Sequence, residues 1–189
     1  MSHDPQLSDR SPVDAPVHDP AQEGEGGVDG DMLRAVMRRV ASPVTVVTTI
    51  AGDEIRGATI GSFTSVSLDP PLVSFNVQKD STFYATLSRA EAFAIHLLTD
   101  VQADLANHFA IPDLTSEEQF APVPHTLSSL GQPPVLRDTF GVLFCQRFAV
   151  HDAGDHALFI GRVVHVLESE AAGPLLYYAR SYRTVGTEV

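Results

Sequence analysis

Lys79 is the only lysine of this chain, and eleven arginines supply every other cationic side chain. It closes a hydroxyl-rich stretch from Arg56 to Thr82 that reads RGATIGSFTSVSLDPPLVSFNVQKDST. Short hydroxyls and glycines let a ligand approach the backbone closely. A lysine followed by Ser81 and Thr82 at the start of a helix offers a polyanion a point charge, two hydroxyls and free N–H groups. The plain alternatives are a Ser/Thr-rich strand and turn, and an ordinary N-cap. A second chemical position is His156, after Gly154-Asp155 at the mouth of a hairpin, where an imidazole can orient a ligand or move a proton. A solvated turn histidine fits the same residues. Cys145, inside Val142-Leu143-Phe144-Cys145-Gln146, reads as a buried, inert thiol. The eight histidines are dispersed without HxH or HExxH spacing, so no metal site is expected.

The elements that must hold these residues are short and mostly extended. Asp31 is the expected N-cap of a helix carrying Met32, Leu33, Val36, Met37 and Val40 on one face, stopped by Pro43. Val44 to Ile50 is β-branched almost throughout and predicts a strand, with Glu54 to Ile60 returning after the Ala51-Gly52-Asp53 turn. Leu72 to Val77 predicts a third strand after the Asp69-Pro70-Pro71 corner, which lacks the donors of a central ladder. Ser81 or Thr82 caps a short helix through Arg89, and Ala92 to Leu98 is a buried strand. Asp100 is expected to cap a second helix with Val101, Leu105, Ala106 and Phe109 on one face. Ile111 to Pro134 reads as a long loop. Phe140 to Val150 and His156 to Leu167 form a strand pair about a turn at 151–154, and Leu175 to Val185 is extended. At least six strands with few helices predict a mainly β small barrel with appended helices.

The 189 residues fit one domain at 31–189 behind an acidic tail at 1–30 that the composition predicts to be disordered. Residues 1–31 hold eight acids and one arginine, a large share of the net charge of −12. No basic footprint for nucleic acid is present. No secretory signal or apolar run of about 18 residues is found either. One cysteine excludes an internal disulfide framework and is compatible with a reducing cytoplasm.

Six motifs in order carry a resemblance: Val44-Thr45-Val46-Val47-Thr48-Thr49; Gly57-Ala58-Thr59; Ser62 through Pro71; Leu105-Ala106-Asn107-His108-Phe109-Ala110; Gly154-Asp155-His156 with Phe159-Ile160-Gly161-Arg162-Val163; and Pro174-Leu175-Leu176-Tyr177-Tyr178 with Tyr182. Together, over about residues 32–185, they resemble the flavin reductase-like family with the FMN-binding split β-barrel fold, antiparallel and of Greek-key type. The resemblance implies an NAD(P)H:flavin oxidoreductase that reduces FMN or FAD with NADH or NADPH. It would supply reduced flavin to a separate flavin-dependent monooxygenase. The alternative is a flavoprotein that retains FMN as an electron carrier. Such a reaction needs orientation and water exclusion and no strong nucleophile, which agrees with the absence of Ser-His-Asp or paired-carboxylate patterns.

By the same resemblance Thr59, Ile60, Ser62, Phe63, Thr64 and Ser65 wrap the flavin ring and ribityl chain. Lys79, Ser81 and Thr82 meet its phosphate. Ala106, Asn107 and Phe109 lie close to the flavin, although Phe109 also suits the core. His156 serves hydride transfer on the nicotinamide side, with Tyr182 and Arg183 as further candidates there. The family also implies a homodimer, acting in the cytoplasm.

Overall fold

The computed structural model describes residues 27–127, 132–169 and 173–186. The acidic tail expected at 1–30 falls almost wholly outside them. The chain divides into two units, Met1–Val36 and Met37–Val189. In the first, helix α1 (Gly30–Met37) begins two residues earlier than an Asp31 cap predicts and stops short of Val40. Its cap is Asp29, whose Oδ1 accepts from Met32 N at 2.7 Å. Asp31 instead sits in the first turn and pairs with Arg34.

Among its described residues the second unit carries twelve strands: β1 (Ser42–Pro43), β2 (Thr45–Ala51), β3 (Glu54–Ile60), β4 (Thr64–Leu68), β5 (Pro71–Gln78), β6 (Ala92–Leu97), β7 (His125–Thr126), β8 (Val135–Leu136), β9 (Gly141–Ala153), β10 (His156–Glu168), β11 (Leu176–Tyr178) and β12 (Ser181–Arg183). Three helices lie between them: α2 (Thr82–Leu87), α3 (Ala103–Phe109) and α4 (Ser116–Phe120). Seven strands form one antiparallel sheet in the order β3-β2-β6-β9-β10-β5-β4. The fold is mainly β with few helices, as the sequence predicts.

That order has a geometric consequence. β3 and β4 stand at opposite edges of the sheet, yet only residues 61–63 join them. Such a link spans at most about 14 Å between Ile60 and Thr64. Seven flat strands, about 4.8 Å apart, would separate the two edges by about 29 Å. The sheet must therefore curl until its edges approach each other. Ser62 Oγ stitches the seam by accepting the N–H of Asn76, on β5 beyond the end of β4, at 2.9 Å.

Curling creates two cores. Inside, Phe75, Phe93 and Phe159 are fully buried, with Phe75 edge-on to Phe93 at 5.2 Å and stacked on Phe159 at 5.9 Å. Outside, β2 also buries its second face: Val46 packs with Leu98, Ala106, Phe109, Phe120 and Leu175, while Val47 belongs to the inner cluster. This double burial explains the near-continuous β-branched run. The three buried threonines of β2 donate to carbonyl oxygens, Thr45 to Ile60 at 3.0 Å, Thr48 to Pro134 at 2.6 Å and Thr49 to Ala92 at 2.9 Å. Cys145 is buried in the inner core, which pushes its thiol up to about 12.

Several expectations shift. The second helix starts at Ala103 with Gln102 as N-cap, and Val101 is 83% exposed rather than on the buried face. The long segment 111–134 contains α4 and β7, its residues 128–131 lying outside those described. β9 runs on to Ala153, so the turn shrinks to Gly154 and Asp155, with Gly154 at φ 70. The extended C-terminal segment is a hairpin, β11 and β12, turned by Ala179 and Arg180 at φ 50 and 65.

His96 on β6 is completely buried. Its Nδ1 donates to Val46 O at 3.0 Å and its Nε2 accepts from Leu136 N at 3.1 Å, which requires the neutral ring. Burial pushes its pKa from 6.5 down to about 4. The unfolded chain takes up this proton near pH 6.5 and the folded chain only near 4. The stability tied to the neutral ring is therefore complete above pH 6.5 and lost as pH falls toward 4. The loss is about 3 kcal/mol over that window. Urea unfolding across this range is expected to show the decline, and His96→Asn is expected to flatten it.

Candidate functional site

A cleft of about 860 Å³ opens along the seam, lined by β3 and its exit (Gly57–Ser62), the end of β5 (Asn76, Gln78), the start of α2, residues 109–113 and the tip of the β9–β10 hairpin. The volume lies within the range of about 300–1,000 Å³ typical of small-molecule and cofactor sites. Each wall is fixed by a local cause. Residues 61–63 stand outside both sheet ladders, which leaves their N–H groups out of the sheet's hydrogen-bond pattern. α2 is capped by Ser81, whose Oγ accepts from Tyr84 N at 3.1 Å and donates to Gln78 O at 2.7 Å. The hairpin tip is held to the end of β5 by Lys79 N donating to Asp155 O at 3.0 Å.

Gln119 of α4 builds the remaining wall, and nothing in the local sequence announces it. β3 is an edge strand, so Gly57 lacks a backbone partner on its outer side. The buried amide of Gln119 supplies one: Oε1 accepts from Gly57 N and Nε2 donates to Gly57 O, both at 3.1 Å. Two further ties fasten the segment, Ser116 Oγ to Ile55 O at 2.7 Å and Arg56 to Leu114 O. Gly57 must be glycine here, because a Cβ would come within 2.6 Å of Phe109 Cε1, a ring 2% exposed.

Of the residues singled out from the sequence, Thr59, Ile60, Ser62, Ser81, Thr82, Phe109 and His156 line the cleft. Thr59 Oγ1 donates to Ala106 O at 2.6 Å, joining β3 to α3. Ala106 itself is fully buried in the outer core and Asn107 is exposed. Phe63 packs against the inner core, while Thr64 and Ser65 are exposed on β4. Lys79 stands next to the cleft and does not line it: its Nζ donates to Asp152 Oδ2 at 2.5 Å and to Gly154 O at 2.6 Å. Tyr182 packs against the outer core and meets Tyr177 edge-on at 5.4 Å, with burial raising its phenol; neither it nor Arg183 lines the cleft. Asp80, Asp113, Asn76, Gln78 and Gln119 line it and were not singled out from the sequence. His156 Nδ1 meets Asp155 Oδ1 at 2.7 Å, and this bond holds the Asp155 carboxyl below its ordinary range.

A second cleft, of about 730 Å³, includes Arg89, Glu91, Gln146 and Arg147. Its arginines are engaged, Arg89 with Glu54 at 2.6 Å and Arg147 with Ser88 O at 2.6 Å. Among the described residues no three His, Cys, Asp or Glu side chains gather as a metal ion requires.

The seam cleft offers a small molecule hydroxyls, backbone amides and one imidazole, the groups of a site that binds and orients its ligand. Residues 37–186 match the family model described as flavin reductase like domain. The chain is 37% identical over 180 residues to the NADH:FMN oxidoreductase of Rhodococcus qingshengii, covering 93% of this chain and 92% of that one. It is 33% identical over 155 residues to the reductase subunit of a flavin-dependent monooxygenase of Rhodococcus jostii (strain RHA1), with coverage of 82% and 77%. The solved structure of the NADH:FAD oxidoreductase of Streptomyces globisporus C-1027, in complex with NAD and FAD fragments, superposes with a TM-score of 0.77 at 32% identity, covering 91% of this chain and 98% of that one. This chain belongs to the flavin reductase-like family.

Replacing Gln119 with leucine leaves the Gly57 N–H and C=O unpaired in a buried place, at a cost of about 1–3 kcal/mol. Urea unfolding is expected to show that loss, and the Gly57 amide is expected to exchange with solvent much faster. An unchanged midpoint and unchanged exchange would contradict the role given to the Gln119 amide.

Proposed function

We propose that this chain is an NADH-dependent flavin reductase that takes FMN or FAD at the seam cleft and passes reduced flavin to a separate monooxygenase. The observation that carries the reading is that one cleft gathers Thr59, Ile60, Ser62, Ser81, Thr82, Phe109 and His156, seven of the residues that the family resemblance singles out. Ser62 Oγ accepts from Asn76 N at 2.9 Å and donates to Asn76 O only at 3.5 Å, a long bond that a ligand acceptor can replace, and the N–H groups of residues 61–63 stand outside the sheet ladders. A carbonyl- and nitrogen-edged ring is the ligand chemistry that such donors fit. When bound, the flavin supplies the hydride-accepting ring.

The protein's own residues bind, orient and exclude water. Thr59, Ile60 and Ser62 flank the ring, with Phe109 closing the α3 side. Lys79, Ser81 and Thr82 serve the phosphate end. His156, its Nδ1 held by Asp155, offers Nε2 to the nicotinamide side as a hydrogen-bond and proton-transfer group. Among the described residues no arginine or lysine lines the cleft for a 2′-phosphate, which supports NADH over NADPH.

We also infer a homodimer, because Phe148, Val150, Val164 and Val166 on β9 and β10 expose 42–54% of their surface and a two-fold contact would cover such a face. The reading implies a cytoplasmic enzyme, where NADH is produced; no helix among the described residues is long and apolar enough to cross a membrane. Residues 1–30 are read as an acidic tail outside the catalytic domain.

The test is steady-state NADH and NADPH oxidation with FMN, FAD or riboflavin added. Turnover is expected with NADH and to depend on added flavin; no oxidation in any combination would overturn the reading. His156→Asn is expected to raise the NADH Michaelis constant or lower turnover at least several-fold. Lys79→Ala is expected to weaken FMN binding by about 1 kcal/mol in a fluorescence titration.

A further inference from the structure

Lys79 is neutralised by a partner that no part of the reaction requires. Gln78 and Asp80, its neighbours in the chain, both line the cleft, while its ammonium reaches away to the β9–β10 hairpin. There, two of its three donors are engaged, by the Asp152 carboxylate and by Gly154 O. Asp155, on the same turn, is occupied by His156, so Asp152 is the carboxylate that compensates the lysine. Among the described residues the ionisable side chains that line the cleft are Asp80, Asp113 and His156, and they offer a phosphate no permanent cation in its place. Asp152 is 80% exposed in its side chain and can turn into water at small cost, and Lys79 sits on a flexible four-carbon stem.

We propose that Asp152 is a specificity-determining residue: its carboxylate competes with the flavin phosphate for Lys79. The proposal rests on the reading of the seam cleft as the flavin site. A phosphate must displace Asp152 or share a compensated ammonium, so the phosphate adds less to affinity than an uncompensated lysine would give it. FMN, FAD and riboflavin are then held mainly by the ring, and the phosphorylated flavins leave readily. For an enzyme whose reduced product must depart to another protein, weak retention at the phosphate end is an advantage. The hydrogen bond from Lys79 keeps the Asp152 carboxyl below its ordinary range, so the competitor is ionised at neutral pH.

The experiment is a fluorescence titration of the full chain with FMN and with riboflavin, for the wild type, Asp152→Asn, Lys79→Ala and the double variant, with FMN dissociation followed by stopped flow. An exposed pair of this kind corresponds to an effect of about two- to fivefold. Asp152→Asn is expected to bind FMN tighter by that factor and release it correspondingly more slowly, with riboflavin unchanged. In the Lys79→Ala background the Asp152 substitution is expected to be silent. FMN and riboflavin shifting together, FMN binding weakened by Asp152→Asn, or an effect that persists without Lys79 would each overturn the proposal while leaving the reductase reading intact. Failure of the wild type to bind either flavin would remove both.

Discussion

The three-residue link between β3 and β4 is the constraint on which the rest depends. It joins the two edges of a seven-stranded sheet and so forces the sheet to curl. Curling places Phe75, Phe93 and Phe159 in an interior that water does not reach. It also brings β3 opposite the far half of β5 without closing the ladder between them. The cleft is what remains of that unclosed seam, and the link itself supplies its unpaired amides. Fold and site are consequences of one connection.

An open seam leaves a strand edge that must be satisfied, and the protein does this with side chains. Gln119 stands in for a neighbouring strand at Gly57, and Ser62 does the same at Asn76. Each substitution of side chain for backbone leaves space beside it that a continuous ladder would fill. On the opposite wall, the lysine beside the cleft is tied to a hairpin whose turn also holds His156. Lys79 and His156 are thereby both anchored to the tip of one hairpin.

Features with local causes were legible in the sequence. The β-branched run at 44–50, the Ser81 cap and the β2–β3 hairpin follow from propensity and turn chemistry, and the structure matches them closely. Features with distant causes were not. Val101 belonged to the apolar pattern, yet the helix starts later, where Gln102 Oε1 accepts from Thr99 N at 3.0 Å. Ala179 and Arg180 turn a hairpin with positive φ although neither is glycine. Gln119 lies 62 residues from Gly57, and Asp152 lies 73 from Lys79, so their pairings emerge only when the sheet has curled. For the site, residue types pointed to the hydroxyl-rich β3 exit and to His156. The acids and amides that set its charge and its walls needed the three-dimensional arrangement.

The central claim is that the seam between β3 and β5 receives the flavin. A crystal structure of the full chain with FMN tests it directly. The account predicts the ring against residues 59–62, with its phosphate toward Lys79 and the start of α2. Flavin bound instead in the cleft beside Arg89 and Arg147, with the seam empty, would contradict it.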